Sequence, residues 1–247
     1  MYINEYGDKN CPTIILLAPM MVSGEDLYNL MSPYFKSEYH IIAPDQGGHG
    51  KAGAYISADD EYRQLKEFLV ASGCRHIDLL YGASLGVAVA YRLFFDKNFE
   101  IAHAWFDGVA FSENAGFAEW FMGRLFKKRK KSLARKPVEA SPSLIKMYGY
   151  DFAKMMTKNF GRMSDEDIKA ICHACCHYKL QKLTDEEQKT LHLDFGEKDF
   201  DLRYSKKAIP LYMPKAELVI REDHAHCGYM AAHPKKYVTE LEQFLSK

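Results

Sequence analysis

A surplus of either charge is missing from this chain: 33 lysines and arginines stand against 33 aspartates and glutamates in 247 residues. The near-neutral pI leaves no global field to attract nucleic acid or an anionic membrane surface, so a small or neutral partner is expected and no nucleic acid. Long apolar runs are missing too. Nowhere do about 18 apolar residues follow one another, which argues against a membrane span. The opening MYINEYGDKNCPTIILLAP lacks the basic and then apolar regions of an export signal, so the expected location is cytoplasmic. Cysteine is too scattered for a disulfide framework. The six, at positions 11, 74, 172, 175, 176 and 227, are expected to be thiols in a reducing compartment. There is no internal repeat or low-complexity tract, and nothing in the sequence sets the oligomeric state.

What is present is enough apolar material, 47% of residues, for one substantial core. Short β-rich runs alternate with longer stretches of helical period, the pattern of a mostly parallel sheet covered by helices on both faces. The expected strands are Thr13–Leu17, Tyr39–Ala43, His76–Tyr81, Ala102–Ala110, Thr190–Phe195 and Glu217–Ile220, with Met1–Tyr6 as a possible edge strand. The expected helices are Gly24–Phe35 and Ala58–Ser72, opened by the capping patterns Ser23-x-x-Asp26 and Ser57-x-x-Asp60, then Ser84–Phe95 and Pro234–Ser246. From Ser112 to about Lys189 no strand signal appears. Capping patterns at Ser164-x-x-Asp167 and Thr184-x-x-Glu187 mark this stretch as helical, so residues 112–189 read as a helical cap inserted into a core formed by 1–111 and 190–247.

The stretch LLYGASLG carries the chemistry. Gly82-x-Ser84-x-Gly86 follows an apolar strand and precedes the helical GVAVAYRLFF. A nucleophilic serine must expose its oxygen while backbone N–H groups point at the oxyanion that forms on attack, and a sharp strand-to-helix turn does both. Glycines two residues to either side allow the tight turn and the close approach of helix to strand. The N–H of Leu85 then lies at a helix N-terminus, where the dipole favours negative charge.

In these residues the sequence resembles the α/β-hydrolase superfamily over nearly its whole length. YHIIAPDQGGHG, Tyr39–Gly50, looks like the family's strand and loop x-V-I-A-P-D-x-x-G-H-G, and HAHCGYMAAHPKKYVTELEQFL looks like its histidine loop and closing helix. The resemblance implies an α/β-hydrolase fold, a mostly parallel central sheet flanked by helices with a helical cap, and triad partners in the order serine, acid, histidine. It places the acid at Asp199 in DFGEKDFD, with Asp107 at the end of the preceding strand as the second candidate; Asp201 falls two residues late and Asp194 within the strand. It places the base at His226, with His224 as the alternative and His233 nearer the last helix. His49 matches a position that is normally structural.

One departure stands out. Where relatives carry His-Gly after the first core strand, this chain has Ala18-Pro19, and proline has no N–H to donate. The donor position implied by the resemblance is the next residue, so the expected oxyanion hole is the N–H of Met20 with that of Leu85. The resemblance implies no cofactor and no metal. Cys172 and Cys176 share a helix face in ICHACCHYKL, as do His173 and His177, but with no further cluster at compatible spacing half-buried helix faces are the better account. The basic run Lys127–Lys136 is read as solvated.

The expected activity is that of a carboxylesterase-like serine hydrolase cleaving an ester or thioester of a small to medium apolar acyl substrate. Ser84 would attack, His226 would move the proton and Asp199 would hold the imidazole. The same residues would also serve a C–C bond hydrolase, a peptidase or an acyltransferase, and a hydrolase-like ligand-binding protein would keep the pocket without turnover.

Overall fold

The computed structural model describes residues 1–247. Seven strands form one sheet: β1 (Glu5–Tyr6), β2 (Thr13–Leu17), β3 (His40–Ile42), β4 (His76–Ala83), β5 (Glu100–Asp107), β6 (Leu191–Gly196) and β7 (Glu217–Arg221), in the order β1-β3-β2-β4-β5-β6-β7. Only β1 runs antiparallel, pairing Glu5 with Ile42. The parallel strands β2, β3 and β6 are buried at every position, which is why TIILL and LHLDFG show no alternation. Because β2 through β7 run the same way, their carboxyl ends share one edge, where sheets of this kind place ligands.

The helices are α1 (Gly24–Met31), α2 (Ala58–Ala71), α3 (Leu85–Phe94), α4 (Gly116–Arg135), α5 (Pro142–Tyr148), α6 (Tyr150–Arg162), α7 (Asp165–Cys176), α8 (Asp185–Lys189), α9 (Leu202–Tyr212), α10 (Gly228–Ala232) and α11 (Pro234–Leu245). Each capping pattern opens a helix. Ser23, Ser57, Ser164 and Thr184 each accept a hydrogen bond from the backbone N–H three residues on, and three of these four close full capping boxes, with Ser57 the exception. Four helices, α4 to α7, and the short α8 lie between β5 and β6, a stretch with no strand.

Boundaries differ from the sequence reading where a local residue intervenes. The helix expected over Gly24–Phe35 is α-helical only to Met31; Ser32–Tyr34, with Pro33 unable to donate, tighten into a 3-10 turn. The strand expected to reach Ala110 ends at Asp107, because Gly108 takes a φ of +62° and turns the chain. At the N-terminus the expected edge strand shrinks to two residues plus a bridge from Tyr2 to Asp45. Helices α9 and α10 were not foreseen; α9 carries Pro210 near its end and α10 has only five residues.

Asp45 shows how the PDQGGHG loop is held. Fully buried, it accepts hydrogen bonds from the N–H groups of Gly24 at 2.8 Å and Lys51 at 2.9 Å and from the Asn4 amide at 3.1 Å. A buried carboxylate is tolerated only when its oxygens are satisfied in this way.

Candidate active site

The turn after β4 has the geometry its glycines suggest. Ser84 sits at φ +49°, ψ −111°, a conformation that costs a non-glycine residue energy and that tertiary packing must enforce. Its N–H donates to the Asp107 carbonyl at 2.8 Å and its carbonyl accepts from Val87 N–H at 3.0 Å, so both sides of the turn are pinned. A Cβ on Gly86 would lie 2.0 Å from the Leu17 carbonyl oxygen, and one on Gly82 would lie 2.9 Å from Ala90 Cβ. The glycines therefore let α3 pack directly against β2 and β4.

His226, in the loop after β7, places Nε2 2.8 Å from Ser84 Oγ. Its Nδ1 lies 3.0 Å from each oxygen of Asp199, which stands in the loop after β6. The Asp199 carboxylate is buried and also accepts from the Asp201 N–H at 2.9 Å. Burial disfavours its charge, but the imidazole and these hydrogen bonds outweigh that and hold Asp199 below the usual carboxylate range. Burial likewise opposes a charged His226, and again the opposite charge wins: the Asp199 carboxylate raises the imidazole well above the ordinary histidine value. Asp201 lies 3.6 Å from the same Nδ1, and burial together with the Asp199 charge lifts it to about 6.

The other candidates fall elsewhere. Asp107 is fully inside the sheet, accepts the Tyr237 hydroxyl at 2.8 Å and makes no hydrogen bond to His226; burial and the neighbouring Asp194 raise it to about 8. Asp194 is engaged by the Arg221 guanidinium at 2.8 Å. The His224 ring bonds the Glu222 carbonyl at 2.6 Å, and His233 meets it edge-on just before α11.

The Ala18-Pro19 departure is absorbed by the loop around it. Pro19 to Val22 form a turn closed by Val22 N–H to the Pro19 carbonyl at 3.1 Å, with Met21 at φ +72°. Met20 N–H donates to no protein group, and Leu85 N–H opens α3, ahead of any intrahelical acceptor. Three side chains hold the turn. Gln46 donates to the Ala18 carbonyl at 2.8 Å, and the His49 ring accepts Met21 N–H at Nε2, 2.9 Å, while Nδ1–H donates to the Gly47 carbonyl at 2.9 Å. This tautomer is neutral, in keeping with burial, which lowers the His49 pKa. From the helical segment, Asn159 donates to the Met21 carbonyl at 3.1 Å. His49 was legible as part of a motif, but Gln46 falls on one of that motif's variable positions and Asn159 carried no signal, since its partner is 138 residues away.

A cavity of about 410 Å³ opens on Ser84, and 23 of its 30 lining residues are hydrophobic, so a bound group would meet mostly apolar side chains. Its outer wall comes from the segment between β5 and β6, chiefly Met122, Phe126, Tyr148, Phe152, Met156 and Cys172. That segment is tied to the core. Tyr148 donates its hydroxyl to the His226 carbonyl at 2.8 Å, and buried Asp167 accepts Tyr55 N–H at 2.7 Å. Cys172 and Cys176 are buried thiols that burial pushes up to about 12. His173 and His177 both meet Glu119 of α4, at 3.2 and 2.8 Å, a third residue that spacing within one helix could not reveal.

No protein-family model matches the sequence, and no curated protein sequence matches it. Solved structures do. The chain is similar to MGS-M2, an alpha/beta hydrolase enzyme from a Medee basin deep-sea metagenome library, with a TM-score of 0.75 and 16% identity over 100% of this chain and 94% of the other. It is similar to the esterase RhEst1 from Rhodococcus sp. ECU1013, with a TM-score of 0.72 and 18% identity over 99% and 94%. It is also similar to a bromoperoxidase from Bacillus anthracis, with a TM-score of 0.73 and 16% identity over 99% and 95%. The chain has the α/β-hydrolase fold.

Proposed function

We propose that the protein is a serine hydrolase that cleaves carboxylic esters or thioesters of small to medium apolar acyl groups. The observation that carries this reading is the continuous hydrogen-bond line from Ser84 Oγ through both ring nitrogens of His226 to Asp199, at 2.8 and 3.0 Å, opening on an apolar cavity. His226 Nε2 takes the Ser84 proton as Oγ attacks the acyl carbon, and the carboxylate holds the tautomer with Nδ1 protonated and stabilises the imidazolium. The oxyanion faces the N–H groups of Met20 and Leu85, the second strengthened by the α3 dipole. The imidazolium then protonates the leaving group, and water activated by the same ring releases the acid from the acyl-enzyme. Residues 112–189 act as the cap that shapes the acyl site, and similarity to an esterase fold agrees with ester chemistry.

A fluorophosphonate probe tests this directly. The wild type should be labelled and should hydrolyse p-nitrophenyl esters, with Ser84→Ala losing both; full esterase activity in Ser84→Ala would overturn the assignment.

A further inference from the structure

The balanced net charge conceals a segregated one. Between Arg124 and Lys136 lie eight cations and no carboxylate, so the rest of the chain is acidic by the same eight charges. Only one of the eight, Lys130, forms an ion pair, with Asp165 at 3.1 Å. Helix α4 holds seven of them, four on one exposed face. Phe117, Trp120, Phe121, Arg124, Lys128, Lys131 and Arg135 recur at spacings of three and four and are all exposed, while Met122, Phe126 and Leu133 pack inward. The stripe is aromatic at the helix start and cationic over the rest of a helix about 30 Å long.

The aromatic end is unusual for a surface. Phe117 is 77% exposed, Trp120 56% and Phe121 52%, and Phe117 stacks on Phe121 with ring centroids 6.5 Å apart, so they form one patch. That patch borders the cavity mouth: Phe121, Met147 and Phe200 are exposed and also line the cavity that opens on Ser84.

We infer that this face of α4 docks on an anionic lipid surface and that the substrate is a water-insoluble, lipid-like ester taken from that surface. Aromatic side chains sit at the headgroup level of a bilayer, and clustered lysines and arginines are attracted to anionic headgroups. The placement favours a bilayer over nucleic acid or an acidic protein, because the aromatic patch rims an apolar cavity. An acyl chain could pass from lipid to cavity along Phe121 without crossing water. The substrate half of the inference rests on the proposed hydrolase activity; the docking half does not.

The test uses the Ser84→Ala chain, so binding is read without turnover and a failure of docking is distinguishable from a failure of the hydrolase assignment. Trp105 is 1% exposed, which makes Trp120 the responsive one of the two tryptophans. Vesicles of phosphatidylcholine containing a minority of phosphatidylglycerol should float the protein and shift Trp120 emission to the blue, whereas phosphatidylcholine alone should do so at least tenfold more weakly. Raising the salt concentration should weaken binding. The combined variant Arg124→Gln, Lys128→Gln, Lys131→Gln and Arg135→Gln should lose about a thousandfold in affinity, and Phe117→Ser should lose roughly tenfold. In the active chain both should hydrolyse a soluble short ester as the wild type does but lose hydrolysis of the same ester headgroup on a medium-length acyl chain held in anionic vesicles. Equal binding to neutral and anionic vesicles, no emission shift, or tighter binding to a single-stranded oligonucleotide than to vesicles would overturn the proposal. So would dimerisation that buries Trp120 in the absence of lipid.

Discussion

The sheet edge and the helical segment above it are built on opposite terms. At the edge, Ser84, Asp199 and His226 stand within five residues of the ends of β4, β6 and β7, and the strand register places their backbones. The side chains of Ser84, His226 and Asp199 and the His49 ring are all hydrogen-bonded there. In the segment between β5 and β6 the helices leave aromatic and cationic side chains in water and turn a methionine- and phenylalanine-rich face to the cavity. A site whose geometry must hold to a fraction of an ångström is thus set on the stiffest element, and the groups that would select substrate are set on helices where sequence can vary without disturbing it.

The sharpest way to break this contrast is to damage the edge without unfolding it. Asp199→Asn should lower kcat by about 10⁴-fold with the fold intact, because the amide favours the wrong tautomer. It should also move the acid limb of kcat/KM. That limb follows deprotonation of His226, which the Asp199 charge raises, so removing the charge shifts it to lower pH. A limb that stays in place would mean that another group sets the imidazole, with Asp201, 3.6 Å away, the first to replace.

Changes in the segment should instead alter choice. Met122→Trp, on the cavity wall, should reduce kcat/KM for long acyl esters by about tenfold to a hundredfold and leave acetate esters within a few-fold, as expected when one pocket dimension changes. Gly149→Phe and Met155→Trp would miss the cavity, because neither residue lines it. Gly149 has open space at its Cβ position and a φ of +80°, so phenylalanine there would strain the backbone rather than fill the site. Equal losses on short and long esters in Met122→Trp would end the division of roles.

A third measurement separates a buried acid from a working one. Asp107 carries a pKa of about 8 against an ordinary 3.8, so the folded protein keeps a proton that the unfolded chain releases, and its contribution to stability is lost as pH rises from about 4 to about 8. Asp107→Asn should therefore gain on the wild type in Tm across that window, by roughly 2–4 °C for each kcal/mol of linkage, with turnover changed less than tenfold. A collapse of activity matching Asp199→Asn would move the acid to β5. The smallest effect is expected from Glu119→Gln, which weakens the pair of histidine contacts joining α4 to α7; being partly exposed, these should amount to about 1 kcal/mol or less by thermal or urea unfolding.

Features written in neighbouring residues are legible in the chain itself. Gly-x-Ser-x-Gly between an apolar run and a helical one, serine and threonine caps three residues ahead of an acid, and buried strands without alternation each report a local backbone constraint, so spacing alone conveys them. The choice of Asp199 over Asp107 rests on resemblance until distance separates them, because both aspartates lie at or just past the carboxyl end of a strand and only the loop carrying His226 selects between them. The anchoring of Met21 by His49 and Asn159, the Tyr148 hydroxyl on the His226 carbonyl, and the third residue between His173 and His177 are illegible in the chain, since each joins residues far apart in it. Net charge misleads for the same reason: composition sums over the whole surface, whereas a helix sorts its side chains by angle. The sequence by itself determined which backbone segments are strand, tight turn and helix, through steric and hydrogen-bonding rules acting over a few residues. Only the tertiary structure decided which acid meets the histidine, which apolar side chains face the serine and which face water, because those depend on packing between segments that no local pattern encodes.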